Sequence, residues 1–578
     1  MRKPDLSSVV QNKLNSSTSD LPSLARRLLL YLTNKILHMN EVTDFLNKYG
    51  DKDGMDFVES LFEYLDFSYN LSNHDRNRIP SEGRLVVAAN HPLGALDGLA
   101  LLSAIREIRP DVKIIANEIL MNIDNLANLL LPYDVFSIKS QKQYILRIEE
   151  ALNSDEAVIF FPAAEVSRMS PRGIADGPWR KGAVNFAAKY EAPVLPVYIK
   201  ARNSWLFYLV SMISKKLSTL LLPREMFKMR GKTIKIRIGN PVPGSSFTNS
   251  VFNIKALTKL LKKHVYKIGK GKKGIFKTEK TVIHPVASRL LKKELAGSQL
   301  LGQTTDNKII YLCDYDAAPN VVREISRLRE ITFRKVGEGT GRRKDHDIYD
   351  KYYSHLVLWD SENLEIAGSY RIGSGREIMK SRGIEGLYNS GQFDIHENFA
   401  PVIDRTIELG RSFVQQKYWG SNALDYLWQG IGAYLSANPD VRYLMGAVSI
   451  SNSYPRKAKD MIIYYYKKWY PSANEYVTSR NPYKIGQNQL KELAELFSGS
   501  DRMEDFRILK INLRALGYSI PVLYRKYTEI CEPGGVSFPD FGVDSDFSNS
   551  VDGLCLLDLS RIKDSYRERY FCRKSFVV

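Results

Sequence analysis

His91 and Asp97 stand six positions apart in the stretch NHPLGALDG, directly after the β-rich run RLVVAAN. Imidazole and carboxylate are the two parts of a general base with its orienting group. A carboxylate on one ring nitrogen fixes the tautomer and stabilises the imidazolium formed when the other nitrogen takes a proton. Six residues along an unbroken helix would send the two side chains to divergent faces, so Pro92 and Gly94 must supply a turn. Without that turn the two residues belong to an ordinary polar loop. A second group lies far downstream, where RLREITF, DHDIYD, GSYRI and ELGRSF follow one another. Glu408 and Arg411 flank the end of one predicted strand, and Arg371 ends another. Ion pairs at such positions can be architectural or can serve chemistry.

The elements that must position these residues fall into two textures. Up to about residue 75 the spacing predicts helices, in LARRLLLYLTNKIL and FVESLFEYLDF. From Arg84 onward RLVVAAN, VKIIAN, EAVIFFP, APVLPVYI and TIKIRIG are short, β-branched runs separated by helical stretches, which predicts an α/β unit ending near Pro243. Lys255 to Lys280 is lysine-rich, contains GKGKKG and has Glu279 as its only acid, a composition that predicts a linker in its second half. From Asn307 a strand (KIIYLCDY), a helix from Pro319 to Arg334 and the strands HLVLWD, IAGSYRI, IELGRSF and YLMGAVSI predict an α+β unit. The expected organisation is therefore a helical region at 1–75, an α/β domain at 76–250, a basic linker with a helix at 251–306 and an α+β domain at 307–578.

The 578 residues are too many for one small module, and 44% hydrophobic with 25% charged residues is a globular composition. Lysine and arginine number 83 against 64 acids, a net +19 that points to an anionic partner. Cys313, Cys531, Cys555 and Cys572 have no spacing suited to a metal clamp or a disulfide framework, so no metal is expected and a reducing compartment is. The amino-terminal residues do not read as a secretory signal, and no run reaches the ~20 apolar residues of a spanning helix. Amphipathic stretches near Leu28 and Trp205 instead suggest peripheral contact with a membrane, or ordinary buried helices.

NHPLGALDG, FFPAAEVSR and RKGAVNFAAKYEAPVLPVYI, in this order, resemble the successive blocks of the glycerolipid acyltransferases. The resemblance implies that His91 is the general base on an acceptor hydroxyl and Asp97 its partner. The chain has five residues between His and Asp where the family usually has four. The usual Phe-Pro-Glu-Gly block is replaced by Phe161-Pro162-Ala163-Ala164-Glu165, as in the hemolysin-like branch. Arg168, Arg172, Arg180 and Lys181 surround Glu165 in sequence and could hold an anionic head group or a phosphopantetheine phosphate, or form a solvated basic loop.

Arg329 with Phe333, Asp347 with Asp350, Arg371, and Glu408 with Arg411 resemble the signature of acyl-homoserine lactone synthases and ornithine-lipid N-acyltransferases, both of the N-acetyltransferase fold. The tail PGGVSFPDFGVDSDFSNSVDGLCLLDL resembles the ornithine-lipid branch. The resemblance implies that Glu408 polarises an attacking amine, through water or directly, that Arg371 and Arg411 support the site, and that Asp347 and Asp350 hold an ammonium or brace the arginines. Together the halves resemble bifunctional ornithine-lipid synthases. That implies N-acylation of an amino acid by a 3-hydroxyacyl thioester, then O-acylation of the new hydroxyl. The implied donors are acyl-acyl carrier protein or acyl-CoA, with no bound cofactor. The implied partners are acyl carrier protein, an anionic membrane surface, and amino-acid and lyso-aminolipid acceptors, with a peripheral place on the cytoplasmic face of a bacterial inner membrane. A lysophospholipid-type O-acyltransferase fused to an unrelated N-acyltransferase is the alternative, as is a membrane-associated protein without acyl transfer. No nucleic-acid motif accompanies the charge.

Overall fold

Leu85–Ala89 is buried at every position, and its neighbours in the sheet are equally apolar, the pattern of a strand covered on both faces. Leu85, Val87 and Ala89 enter one hydrophobic core while Val86 and Ala88 enter the other, as the two-residue repeat of a strand requires. The computed structural model describes residues 38–571 except 118–122, 134–140, 172, 474 and 498. The chain divides into two units, residues 1–281 and 282–578.

In the first unit a seven-stranded sheet is built from β1 (Ser68–Leu71), β2 (Leu85–Ala89), β3 (Val112–Asn117), β4 (Leu130–Tyr133), β5 (Ala157–Phe160), β6 (Val194–Lys200) and β7 (Thr233–Ile238), in the order β1-β7-β6-β2-β5-β3-β4. From β6 to β4 the strands are parallel, and β7 joins β6 antiparallel. The carboxyl ends of β2, β5 and β6 therefore share one edge, where open α/β sheets place their ligands.

Two expectations need correction here. The region expected to be helical up to residue 75 contains β1, paired in parallel with Thr233–Ile236, a partner too distant in sequence for a four-residue run to announce. In the stretch 251–306, expected as a basic linker with a helix, the second half of the lysine run is tied to the first unit rather than free. Helix Ile254–Gly269, capped by Asn253, buries Leu257, Leu261 and Val265 at four-residue spacing in the first unit's core. Beyond it the N–H groups of Ile275 and Phe276 both donate to His264 Nδ1, at 2.8 and 3.1 Å. Burial pushes His264 down to about 4, which keeps that nitrogen an acceptor. The Leu28 stretch lies outside the described residues.

In the second unit the strands are β8 (Gln299–Gln303), β9 (Ile309–Cys313), β10 (Ser354–Asp360), β11 (Glu365–Ser374), β12 (Thr406–Val414), β13 (Tyr443–Ile450), β14 (Val536–Ser537), β15 (Phe541–Asp544) and β16 (Ser550–Asp558). The order is β8-β9-β10-β11-β12-β13-β16-β14, with β15 also on β16. The β12–β13 pair alone is parallel, and only from Thr406–Glu408 to Tyr443–Met445. Past Glu408, β12 follows β11 while β13 follows β16, so the sheet forks. Helix Pro319–Lys335 packs through Val321, Ile325 and Leu328 on one face of this sheet.

Candidate active sites

The end of β2 is pinned by Asn90, whose side chain exchanges hydrogen bonds with both backbone groups of Ile199 on β6, at 3.0 and 2.7 Å. His91 follows, and the chain reverses through Gly94, whose φ of +105° excludes a Cβ-bearing residue at low cost. Helix Ala95–Arg106 starts there, with Asp97 in its first turn. Asp97 Oδ2 accepts the Leu93 N–H at 2.7 Å, and Oδ1 lies 3.1 Å from His91 Nδ1. The predicted turn therefore brings the pair together. The imidazole rests on Phe161, ring centroids 4.2 Å apart. Burial opposes protonation of His91, but the adjacent Asp97 carboxylate, with Asp176 behind it, outweighs this and raises the imidazole above its ordinary pKa.

His91 opens into a cavity of ≈ 2110 Å³ whose wall is largely apolar, including Leu93, Leu99, Ile114, Leu130, Phe161 and Met226. Glu165, Arg168, Arg180 and Lys181 line the same cavity. Arg168 donates to Glu165 at 3.2 Å and to Ser218 at 2.5 Å, and Lys215 lies 3.0 Å from Glu165. Burial alone would raise the Glu165 carboxyl, and Lys215 and Arg168 together more than reverse it, leaving it below its ordinary value. Arg180 and Lys181 are exposed. The chemical offer is a base and carboxylate beside space for hydrocarbon, with cations for an anionic group. Arg172 lies outside the described residues.

The second site sits where the second sheet forks. Arg371 on β11 and Arg411 on β12 face a loop carrying Asp345, Asp347 and Asp350. Arg371 donates to Asp347 at 2.6 Å and to Asp350 at 3.2 Å. Arg329, from helix Pro319–Lys335, holds both oxygens of Asp350 at 2.8 Å. Arg411 lies 3.3 Å from Asp345 and 3.6 Å from Asp347, in a bulge that gives it a φ of +49°. Burial disfavours the Asp350 charge, yet Arg329, His346 and Arg371 hold its carboxyl far below the usual range. Tyr349, Tyr353 and Tyr388 surround the Arg371 guanidinium at 5.0 to 5.5 Å. Among the described residues no group of three His, Cys, Asp or Glu side chains is placed to hold a metal ion.

Residues 8–270 match the family described as Acyltransferase, and residues 328–429 match the Acetyltransferase (GNAT) domain. Over 262 residues the chain is 39% identical to the glycine N(alpha)-acyltransferase of Bacteroides thetaiotaomicron, a match covering 43% of this chain and 77% of the relative. Over 253 residues it is 33% identical to the lyso-glycine lipid O-acyltransferase of the same organism, covering 43% of this chain and 90% of the relative. The chain belongs to the acyltransferases. The L-ornithine N(alpha)-acyltransferase of Agrobacterium fabrum is a more distant relative of this enzyme, 26% identical over 267 residues, covering 44% of this chain and 81% of its own.

Within this acyltransferase two expected residues have different surroundings from those anticipated. Glu408 is buried, and its oxygens accept from the Tyr353 hydroxyl, the Tyr388 N–H at 2.9 Å and the Asn389 N–H at 2.8 Å. Both oxygens thus help to fix the 387–391 turn. Burial raises the Glu408 carboxyl above its ordinary value despite these donors. Phe333 is a core side chain, packed edge-on against Phe547, which in turn lies under the Arg411 guanidinium.

Other residues of consequence carried no motif. Asp176 is buried and gathers the His91 N–H, the Ser167 hydroxyl and the Trp179 indole N–H at 3.2, 2.5 and 2.8 Å. Asp345 and Tyr353 complete the second site. Ala164 stands in the left-handed region at φ +57°, where the related block has glycine. Replacing Ala164 with Gly removes a Cβ clash of about 1 kcal/mol and is expected to stabilise the chain by about 0.5 kcal/mol after the entropy of glycine is counted, measured by urea denaturation.

Proposed function

We propose that this chain is a bifunctional acyltransferase of aminolipid synthesis. The GNAT-like unit joins a 3-hydroxyacyl group from a thioester to the amine of an amino acid, and the first unit esterifies the resulting hydroxyl with a second acyl group. The observation that carries this reading is the His91–Asp97 pair opening on a long apolar cavity, in a chain with separate similarity to a named N-acyltransferase and a named O-acyltransferase. The higher identity to glycine-acylating than to ornithine-acylating relatives favours glycine as the acceptor. Acyl-CoA or acyl-acyl carrier protein supplies the thioester.

In the first unit neutral His91 takes the hydroxyl proton through Nε2 as the oxygen attacks the thioester carbon, while Asp97 stabilises the imidazolium. The carbon–sulfur bond then breaks and His91 returns the proton to the departing thiolate. In the second unit Asp347 is the exposed member of the acid set, at 20% of its side-chain surface. Burial raises its carboxyl, but Arg371 and Arg411 lower it below the usual range, so it stays ionised and suits an ammonium better than it suits proton abstraction. Glu408 acts as a positioning residue through Tyr353 and the 387–391 turn.

Expression in a bacterium lacking aminolipids is expected to yield a new lipid bearing one amide-linked and one ester-linked acyl chain, detected by mass spectrometry. Glu408→Ala is expected to remove both that lipid and its lyso precursor, because the second step loses its substrate. Absence of any such lipid when soluble, folded protein and both acyl donors are present would overturn the reading.

A further inference from the structure

Among the described residues of the first unit, helix Trp205–Ile213 carries the most exposed apolar face. Trp205, Leu206, Leu209, Met212 and Ile213 are exposed by 62, 45, 53, 59 and 86%. At 100° per residue these five fall within a 120° arc, while Phe207 and Tyr208 point the other way and pack with Val166 and Leu222. The helix is therefore anchored by one face, and the other is left to its surroundings. A contiguous patch of this kind marks an interaction surface.

Charge selects the occupant. From Arg202 to Arg224 the sequence holds no Asp or Glu; Arg202 and Lys216 flank the apolar residues in sequence, with Lys215, which is 68% exposed although it also meets Glu165, next to the helix end. The chain that follows the helix forms part of the cavity wall, through Lys215, Thr219, Leu222 and Pro223. A second apolar tip, Val251 and Phe252 at 96 and 56% exposure, precedes Lys255 and Lys259, which line the same cavity. Apolar side chains beside lysines, at two places on one cavity rim, fit the acyl and phosphate layers of an anionic bilayer. A second copy of the chain would set these basic rims against each other. Helix Trp205–Ile213 has nine residues, less than half of what a bilayer crossing needs, so its own contact is interfacial.

We propose that helix Trp205–Ile213 inserts its apolar face into an anionic lipid surface and sets the cavity of the first unit against that surface. A lyso-lipid acceptor then passes from the leaflet to His91 without crossing water. The docking stands on the helix alone, and only the delivery of acceptor rests on the proposed function.

The test is flotation of the full chain with vesicles of phosphatidylcholine mixed with phosphatidylglycerol, and with phosphatidylcholine alone. The wild type is expected to float with the anionic vesicles and much less with the neutral ones. Leu209→Glu/Met212→Glu/Ile213→Glu is expected to lower partition by about 100-fold, since three exposed apolar anchors are lost. Its thermal unfolding should be unchanged. Its turnover should fall with acceptor embedded in vesicles and be retained with a water-soluble short-chain acceptor. Equal flotation of the triple variant and the wild type would overturn the proposal, as would loss of a wild-type dimer in the triple variant on size-exclusion chromatography, which would assign the face to self-association. Flotation without any acyl transfer would leave the docking standing and count against the proposed function instead.

Discussion

His91→Ala is expected to abolish the ester-linked product and leave the amide-linked lyso-lipid accumulating. The general base contributes about 10²–10⁴-fold to such a step, and its removal in a cavity without a substitute takes the ester below detection. Nothing in the second unit depends on His91, so the lyso-lipid continues to form. Asp97→Asn is the sharper variant. Asp97 serves Leu93 N–H with one oxygen and faces His91 Nδ1 with the other. An asparagine that keeps its carbonyl on Leu93 turns its NH2 toward Nδ1, forces the proton onto Nε2 and leaves no lone pair for the hydroxyl proton. Its fold survives while ester formation falls by about 10²-fold or more. In the wild type the base works only when neutral, so esterification rises as pH climbs through a value above the ordinary 6.5 of histidine. Liquid chromatography with mass detection of both lipids reads these outcomes. Equal loss of lyso-lipid in His91→Ala with folded protein would overturn the division of labour.

The pairing of His91 with Asp97 was legible because the two residues lie within nine positions, and the glycine that joins them has a conformational reason to be there. Asp176 was not, because its contribution is three hydrogen bonds from a loop distant in sequence, and DGPWRKG has no spacing that predicts them. In the second unit the strands and the long helix followed from periodicity, and the arginines and aspartates from their order. Asp345 sits two positions before Asp347 in the same run, but only the fold brings it to Arg411. Tyr353 reads in sequence as one more aromatic at the start of a strand. In the lysine run the helix agrees with the spacing of Leu257, Leu261 and Val265, while the glycine-rich half expected as a linker gave no sign that Ile275 and Phe276 would bond to His264.

Asp350→Ala is expected to be among the most destabilising substitutions in the second unit, at about 3–5 kcal/mol. The residue is fully buried and satisfies Arg329 through both oxygens, with Arg371 and His346 at 3.2 and 3.1 Å. Removing it leaves three arginines against Asp345 and Asp347, with the fully buried Arg329 deprived of the carboxylate it holds through both oxygens. The cost comes from the uncompensated charge, so Arg329→Met added to Asp350→Ala should recover part of it, a positive coupling that a merely local packing defect would not show. The pH dependence gives an independent reading. Arg329 and its neighbours depress Asp350, and Arg371 depresses Asp347, so both carboxyls bind fewer protons in the folded than in the unfolded chain. Their stabilisation is complete above the ordinary aspartate range near 4 and is withdrawn as pH falls below it. Glu338 and Asp552, pushed up by burial to about 8 and about 6, bind more protons folded than unfolded and so add stability as pH falls from neutral toward 4, but they do so in both proteins and cancel in the comparison. Urea denaturation between neutral pH and pH 3 should therefore show a steep loss of stability in the wild type and a flatter one in Asp350→Ala. If the two profiles run parallel, or the substitution costs less than about 1 kcal/mol at neutral pH, the buried network is not what holds the fork of the sheet together.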